Sequence, residues 1–370
     1  MNIKNNNHRF EIVRLKQQQL PEVADFLVKH QHGDYNKQEW INKFDLFWNS
    51  NPWFDKSKHS RGWVIINANN ELEGFIGSIP IVYLRKGRIE EAFCATTWVV
   101  SNDARGQSLN LYSELINQGG VIFSTTTEPK IKKIITQLFG YDEITPAWIK
   151  FKYVIPLNLK SSFKFISSYH KNNILKKITY NLGNVFFKFL AINYRAFHRL
   201  KKTNINIQQC DCVPKDIELF NSDFIEKYKY VFPRNFKNIN WLYFSNAQSS
   251  SRLLLEVREN SKLIGLVSFK CIVSNGVARL ELLDFSMLYI TRVILQSVII
   301  EVQKISKEWR KDIAFITFYS FSDMMNVELI KSGFYKSKNT DSFFIRTQPL
   351  HSQITDIYTS PLDGDRPFFP

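Results

Sequence analysis

The residues Arg105-Gly106-Gln107-Ser108-Leu109 follow the apolar run Trp98-Val99-Val100 through Ser101-Asn102-Asp103-Ala104. That order predicts a strand, a tight turn and a helix start. Amides at a helix start lack intrahelical partners and carry about half a positive charge, which suits a phosphate or pyrophosphate. Val99, Val100, Arg105, Gly106, Gln107, Ser108, Leu109 and Asn110 are therefore candidates for holding an anionic cofactor; the bland alternative is a strand-to-helix turn with a solvated arginine. Glu90, Glu91 and Thr97 lie on or beside the preceding strand, as catalytic candidates or as an exposed strand start. Asp284, between Leu283 and Phe285, is a carboxylate in an apolar strand; buried, it would have a raised pKa and could act as a base, whereas at a strand end it would be solvated.

Other chemistries find no support. His30-x-His32 lacks a third ligand, and Cys210-Asp211-Cys212 is not a C-x-x-C pair, so no metal is expected. Gly-x-Ser-x-Gly, Walker and dinucleotide patterns are absent from the sequence. No serine or cysteine constellation argues for a covalent intermediate.

The elements that would position these residues are written twice. The first series runs from Trp48 through the strands Trp63-Ile66 and Leu72-Ile79, joined by Asn67-Ala68-Asn69-Asn70, to a third strand, Glu90 to Val100. A helix from Ser108 to Gln118, the strand Val121-Ser124 and a further helix ending at Gly140-Tyr141 complete it. The second runs from Trp241 through Leu253-Val257, Arg258-Glu259-Asn260-Ser261 and Leu263-Ser268 to the strand Ala278-Phe285. A helix from Ile290 to Lys307, the strand Ile313-Thr317 and a helix ending at Gly333-Phe334 follow. Alternating apolar and polar residues around turn tetrapeptides predict hairpins, and glycine before an aromatic predicts a helix cap. Landmarks recur at a nearly constant offset of about 190 residues, the mark of duplication.

Val100-Ser101-Asn102-Asp103-Ala104-Arg105-Gly106-Gln107-Ser108-Leu109 resembles the coenzyme A loop of the GCN5-related N-acetyltransferase superfamily. Ser108 stands where that family usually has glycine, and Asn110 where a second small residue is common. The order of elements resembles the superfamily over roughly residues 10 to 156 and again 205 to 348. Asn51-Pro52 and Gly77-Ser78-Ile79-Pro80 look most like the double-domain acyltransferases linked to bacterial surface polysaccharide and peptidoglycan-bridge synthesis. The resemblance implies an α/β (α+β) fold of two tandem domains, each a mixed, mainly antiparallel twisted sheet flanked by helices. The expected division is a first domain at 1–156, a basic helical connector at 157–204, a degenerate second domain at 205–348 and a tail at 349–370.

It further implies an acyl-CoA-dependent N-acyltransferase, with acetyl-CoA or another acyl-CoA as donor and a nucleotide- or lipid-linked amino sugar as acceptor. The backbone around Thr97 would supply the oxyanion contact, with Asp284 and Glu91 as candidate catalytic carboxylates. Asp363 and Asp365, in the acidic turn Pro361 to Pro367, would contact the amino sugar. A tyrosine acid is not expected, because the matching place holds Thr136. The second half has Ser286 to Arg292 in place of the loop, so only the first is expected to hold CoA. A transferase using aminoacyl-tRNA and a non-catalytic binding protein are the alternatives.

Composition bounds these readings. A chain of 370 residues with 44% hydrophobic residues and 31 Phe has material for two cores. Four scattered cysteines predict reduced thiols, and the N-terminus lacks an apolar signal core. The expectation is a cytoplasmic protein. Its net charge is +15, and residues 145 to 209 contain no Asp or Glu. Lysines and phenylalanines alternate there, which suits a packed connector or peripheral contact with the inner face of an anionic membrane. No nucleic-acid-binding motif accompanies them.

Overall fold

The computed structural model describes residues 9–30, 35–125, 129–158, 161–162, 204–245, 251–274, 276–309, 313–338, 343–346 and 357–363. Most of the basic connector, and Asp365, lie outside these residues.

The first sheet contains β1 (Phe10–Arg14), β2 (Gly62–Asn67), β3 (Leu72–Arg85), β4 (Arg88–Val100), β5 (Val121–Ser124), β15 (Phe343–Arg346) and β6 (Asp142–Ile144), in that spatial order. β9 (Tyr230–Val231) adds to the far end of β3, and β16 (Ile357–Tyr358) adds to β9. The second sheet is ordered β14 (Tyr335–Lys338), β7 (Phe151–Pro156), β13 (Ile313–Tyr319), β12 (Val277–Met287), β11 (Lys262–Ser274), β10 (Arg252–Glu259) and β8 (Ile205–Gln209). Both sheets are mainly antiparallel and flanked by helices, the architecture expected from the sequence. Among the described residues the helices are α1 (Leu20–His30), α2 (Lys37–Phe44), α3 (Ser108–Asn117), α4 (Pro129–Phe139), α5 (Ala147–Lys150), α6 (Ile217–Ile225), α7 (Phe236–Tyr243), α8 (Arg292–Trp309) and α9 (Asp323–Lys331).

The turn chemistry explains both hairpins. Asn67 Oδ1 accepts the N–H groups of Asn69 and Glu71, and Asn70 takes φ 60°. Asn260 and Ser261 take φ 46° and 71°, and two consecutive positive φ angles match the right-handed strand twist. Gly140 and Gly333 close α4 and α9 with φ 66° and 86°. The Tyr141 and Phe334 amides then reach back to the Ile135 and Leu329 carbonyls.

The two sheets exchange strands between the two series. β7, the end of the first series, lies between β14 and β13 of the second sheet; β15 of the second series lies between β5 and β6 of the first. Each half thus lends its last strand to the other. Side chains reinforce the join: Trp241 Nε1 donates to Leu46 O at 2.9 Å, and Trp53 Nε1 to Asn238 Oδ1 at 2.5 Å. One core cluster runs through both halves, including Trp48, Phe75, Trp241 and Phe269.

Among the described residues no helix is long and apolar enough to cross a membrane. None of the four cysteines is in a disulfide, and they differ in burial. Burial pushes the Cys210 thiol up to about 12, whereas Cys212 is exposed. Alkylation at pH 8 followed by peptide mass spectrometry is expected to label Cys212 well before Cys210, because the thiolate is the nucleophile. Equal labelling would refute the burial argument.

Candidate functional site

The last parallel pair between β4 and β5 is Cys94 with Phe123; β4 then runs on to Val100 while β5 ends at Ser124. A fork opens between them. On the other edge of β4 the register with β3 shifts between Phe75 and Gly77, and Thr97 takes φ 53°. This is a bulge that turns the β4 backbone where the fork begins, a recurrent way to re-aim groups beside active sites. Val99 packs toward one core and Val100 toward the other, so both support the end of the strand.

Beyond β4 the chain is pinned to β3. Ser101 donates its amide to Glu73 O at 2.8 Å and its hydroxyl to the Glu73 carboxylate, and accepts from the Ala104 amide at 3.3 Å. The turn itself is tighter than expected: residues Arg105–Gln107 form a 3-10 turn before α3. The Gln107 amide donates to Ala104 O, and the Ser108 amide to Arg105 O. Two amides expected to be free are therefore already used. Arg105, Leu109 and Asn110 are exposed, and Asn110 bonds Gln107 at 2.8 Å. A Cβ built on Gly106 meets no atom within 4 Å, so glycine is not demanded by packing there and the surface is open to a ligand.

An aromatic layer lies behind the fork. Trp98 stands 4.6 Å from Tyr112, which stands 4.6 Å from Phe139, and the Tyr112 hydroxyl donates to that of Tyr141 at 3.1 Å. Burial pushes Tyr112 up to about 12 and Tyr141 well above its usual range, so neither is a ready proton donor. Trp98 Nε1 is buried with no hydrogen-bond partner, an unused donor on the strand that leads to the loop. The open face at Gly106, the fork and this donor fit an extended polar cofactor such as an acyl-CoA.

Glu91 lies upstream on β4, before its paired stretch with β5. His59, from the loop between α2 and β2, approaches it with Nε2 2.6 Å from Oε1. The imidazole is edge-on to Phe93 and only 8% exposed, while the Glu91 side chain is 58% exposed. His59 gives no motif in the sequence, since its partner is 32 positions away.

Asp284 and Asp363 do come together, but not as free groups. Arg234 binds Asp284 through Nε and a terminal nitrogen at 2.8 and 3.1 Å, and Asp363 through both terminal nitrogens at 2.8 and 3.1 Å. Ser286, Ser360 and Tyr358 complete the shell. All three charged groups are buried. Burial raises the Asp363 carboxyl, opposed by the Arg234 charge, and the two carboxylates hold the guanidinium firmly protonated. This corrects the expectation of a free base at Asp284: its oxygens are committed to Arg234, and it acts as a counter-ion. The same commitment leaves Asp363 as an anchor of the tail.

That anchor occupies the second half's fork. β12 and β13 last pair at Glu281 and Thr317, and beyond that point the Leu283 carbonyl accepts the Leu362 amide at 2.8 Å. Val82, Phe232, Arg234, Asn238, Trp241 and Asp363 are among the residues that line a recess between the halves. Val82 pairs across the strands with Glu91, so the recess adjoins the His59–Glu91 pair. Among the described residues no group of histidine, cysteine and carboxylate side chains could hold a metal ion.

No family model matches the chain, and no curated protein matches its sequence. Solved structures do share its fold. N-myristoyltransferase of Saccharomyces cerevisiae, solved with bound myristoyl-CoA, matches with a TM-score of 0.55 at 14% identity, over 92% of this chain and 84% of that one. A GCN5-related N-acetyltransferase from Anabaena variabilis matches with a TM-score of 0.53 at 12% identity, over 91% and 72%. A probable N-acyltransferase from Enterococcus faecalis gives 0.53 at 9% identity, over 91% and 72%. The fold is thus that of GCN5-related N-acyltransferases over nearly the whole chain.

Proposed function

We propose that the protein is an N-acyltransferase that moves an acyl group from coenzyme A to a primary amine by direct attack. The observation that carries this reading is the β4–β5 fork, bulged at Thr97 and leading into the exposed Arg105–Ser108 turn. The donor's phosphates would lie against the turn with Arg105, and its thioester in the fork, where backbone N–H groups near Thr97 face the carbonyl oxygen. Glu91, upstream of the fork on β4, takes a proton from the acceptor ammonium through intervening water. The neutral amine attacks the thioester carbon, the C–S bond breaks, and the second amine proton leaves with the thiolate, giving amide and free CoA. Glu91 then returns its proton to water.

The acceptor enters from the recess between the halves, whose second half serves to shape it and holds no donor. An amino sugar carried on a nucleotide or lipid is the acceptor we favour, on the Asn51-Pro52 and Gly77 to Pro80 resemblance to surface-polysaccharide acyltransferases. The protein would then work in the cytoplasm, at or near the inner membrane face.

Calorimetry with acetyl-CoA tests the donor site. Saturable binding is expected, and Arg105→Glu should weaken it at least about tenfold by setting a carboxylate against the phosphates. Unchanged binding by that variant, or no binding by the native chain, would count against the assignment.

A further inference from the structure

We infer that His59 is a positioning residue that holds Glu91 in place for proton transfer, an inference that rests on the acyl-transfer reading above. The hydrogen bonds assign the imidazole's protonation without further assumption. Its Nδ1 accepts the Asp55 amide at 3.0 Å, so that nitrogen carries no proton. Nε2 must then carry the proton, and it donates to Glu91 Oε1 at 2.6 Å. A carboxylate on an exposed strand stretch would otherwise sample several rotamers. Here one oxygen is fixed by the ring and the other is left to take the acceptor's proton through water.

The ring is itself held from several sides. The His59 amide donates to Asp55 O at 2.8 Å, and the Asp55 carboxylate accepts the Ser57 amide and hydroxyl at 2.9 and 2.7 Å. Phe93 meets the imidazole edge-on at 5.6 Å and Phe54 lies 6.2 Å away. The loop thus fixes the ring that fixes the base, and a bridge to the acceptor side is built in. Trp53 of the same loop bonds Asn238 in the recess wall, so occupation of the recess and placement of Glu91 share one support.

The test has two arms on the full chain. Nitrogen-15 NMR of the histidine rings is expected to show the Nε2–H tautomer at His59, with that proton shifted downfield and moving upfield by at least about 1 ppm in Glu91→Leu. An Nδ1–H tautomer, or a resonance indifferent to Glu91→Leu, overturns the inference whether or not the protein turns over substrate. The second arm follows free CoA with acetyl-CoA as donor and glucosamine as the probe amine. His59→Leu should lower kcat about tenfold while KM for acetyl-CoA stays within about twofold, and His59→Gln, which keeps an N–H donor near the same place, should recover about half of the loss on a logarithmic scale. Loss of acetyl-CoA binding in His59→Leu, or equal damage in both variants, would mark the residue as merely structural. Absence of turnover by the native chain would fault the acceptor reading and leave the NMR arm to decide on His59.

Discussion

Replacing Arg234 with Met is expected to lower the stability of the chain by about 3 to 5 kcal/mol, read as a fall in the urea midpoint at constant slope. Arg234 is 2% exposed and sits between two buried carboxylates. Removing it leaves both without a counter-charge, and an unpaired buried charge costs far more than the intact pair contributes. The diagnostic control is the triple variant with Asp284→Asn and Asp363→Asn, which removes the stranded charges. It should recover a substantial part of the loss; a triple variant as unstable as Arg234→Met would show that shape, not charge, is what the site requires. Activity of the folded fraction should fall too, because Arg234 and Asp363 line the recess.

The second large effect is expected at Gly62, where β2 leaves the loop that carries His59. Its φ is 141°, and an added Cβ would lie 2.1 Å from the Ile76 carbonyl oxygen. That oxygen belongs to the sheet backbone and cannot swing aside like a flexible side chain. Gly62→Ala should therefore cost about 3 kcal/mol or more, from strain and overlap together. Gly62 also accepts the Leu15 amide at 2.9 Å and the Ser60 hydroxyl at 2.8 Å, so any shift displaces the base of the loop. The expected signature is a lower urea midpoint together with a weakened His59–Glu91 bond. Gly106→Ala is the contrast: with open space around it, it should leave stability within about 0.5 kcal/mol. Equal losses at the two glycines would refute the steric argument.

What is legible in the sequence is local. The tetrapeptides at Asn67 and Arg258, the caps at Gly140 and Gly333, and the run from Trp98 to Leu109 each carry their structural instruction within a few residues, and all form where the sequence predicts them. The fold class follows from their order. The exchange of β7 and β15 is not legible, because nothing in the alternation of a short strand such as Phe151–Pro156 or Phe343–Arg346 names its neighbour. For the same reason Arg234 and His59 give no signal: a lone arginine and a lone histidine have meaning only beside Asp284, Asp363 and Glu91. Asp284 stands out in the sequence as a carboxylate among apolar neighbours, yet its role depends on a cation 50 positions away.

The reciprocal strand exchange bears on how the chain reaches its native state. Residues are synthesised in order, and β6 cannot join its native place in the sheet until Phe343–Arg346 has left the ribosome, since β15 lies between β6 and β5. The N-terminal half must therefore wait with an unfinished sheet edge exposed through most of translation, while β7 waits for strands formed roughly 160 residues later. Neither half holds every strand of its own sheet, and a chain truncated after Pro156 would present the same open edge permanently. Two halves with the same order of elements are thus interlocked through their last strands.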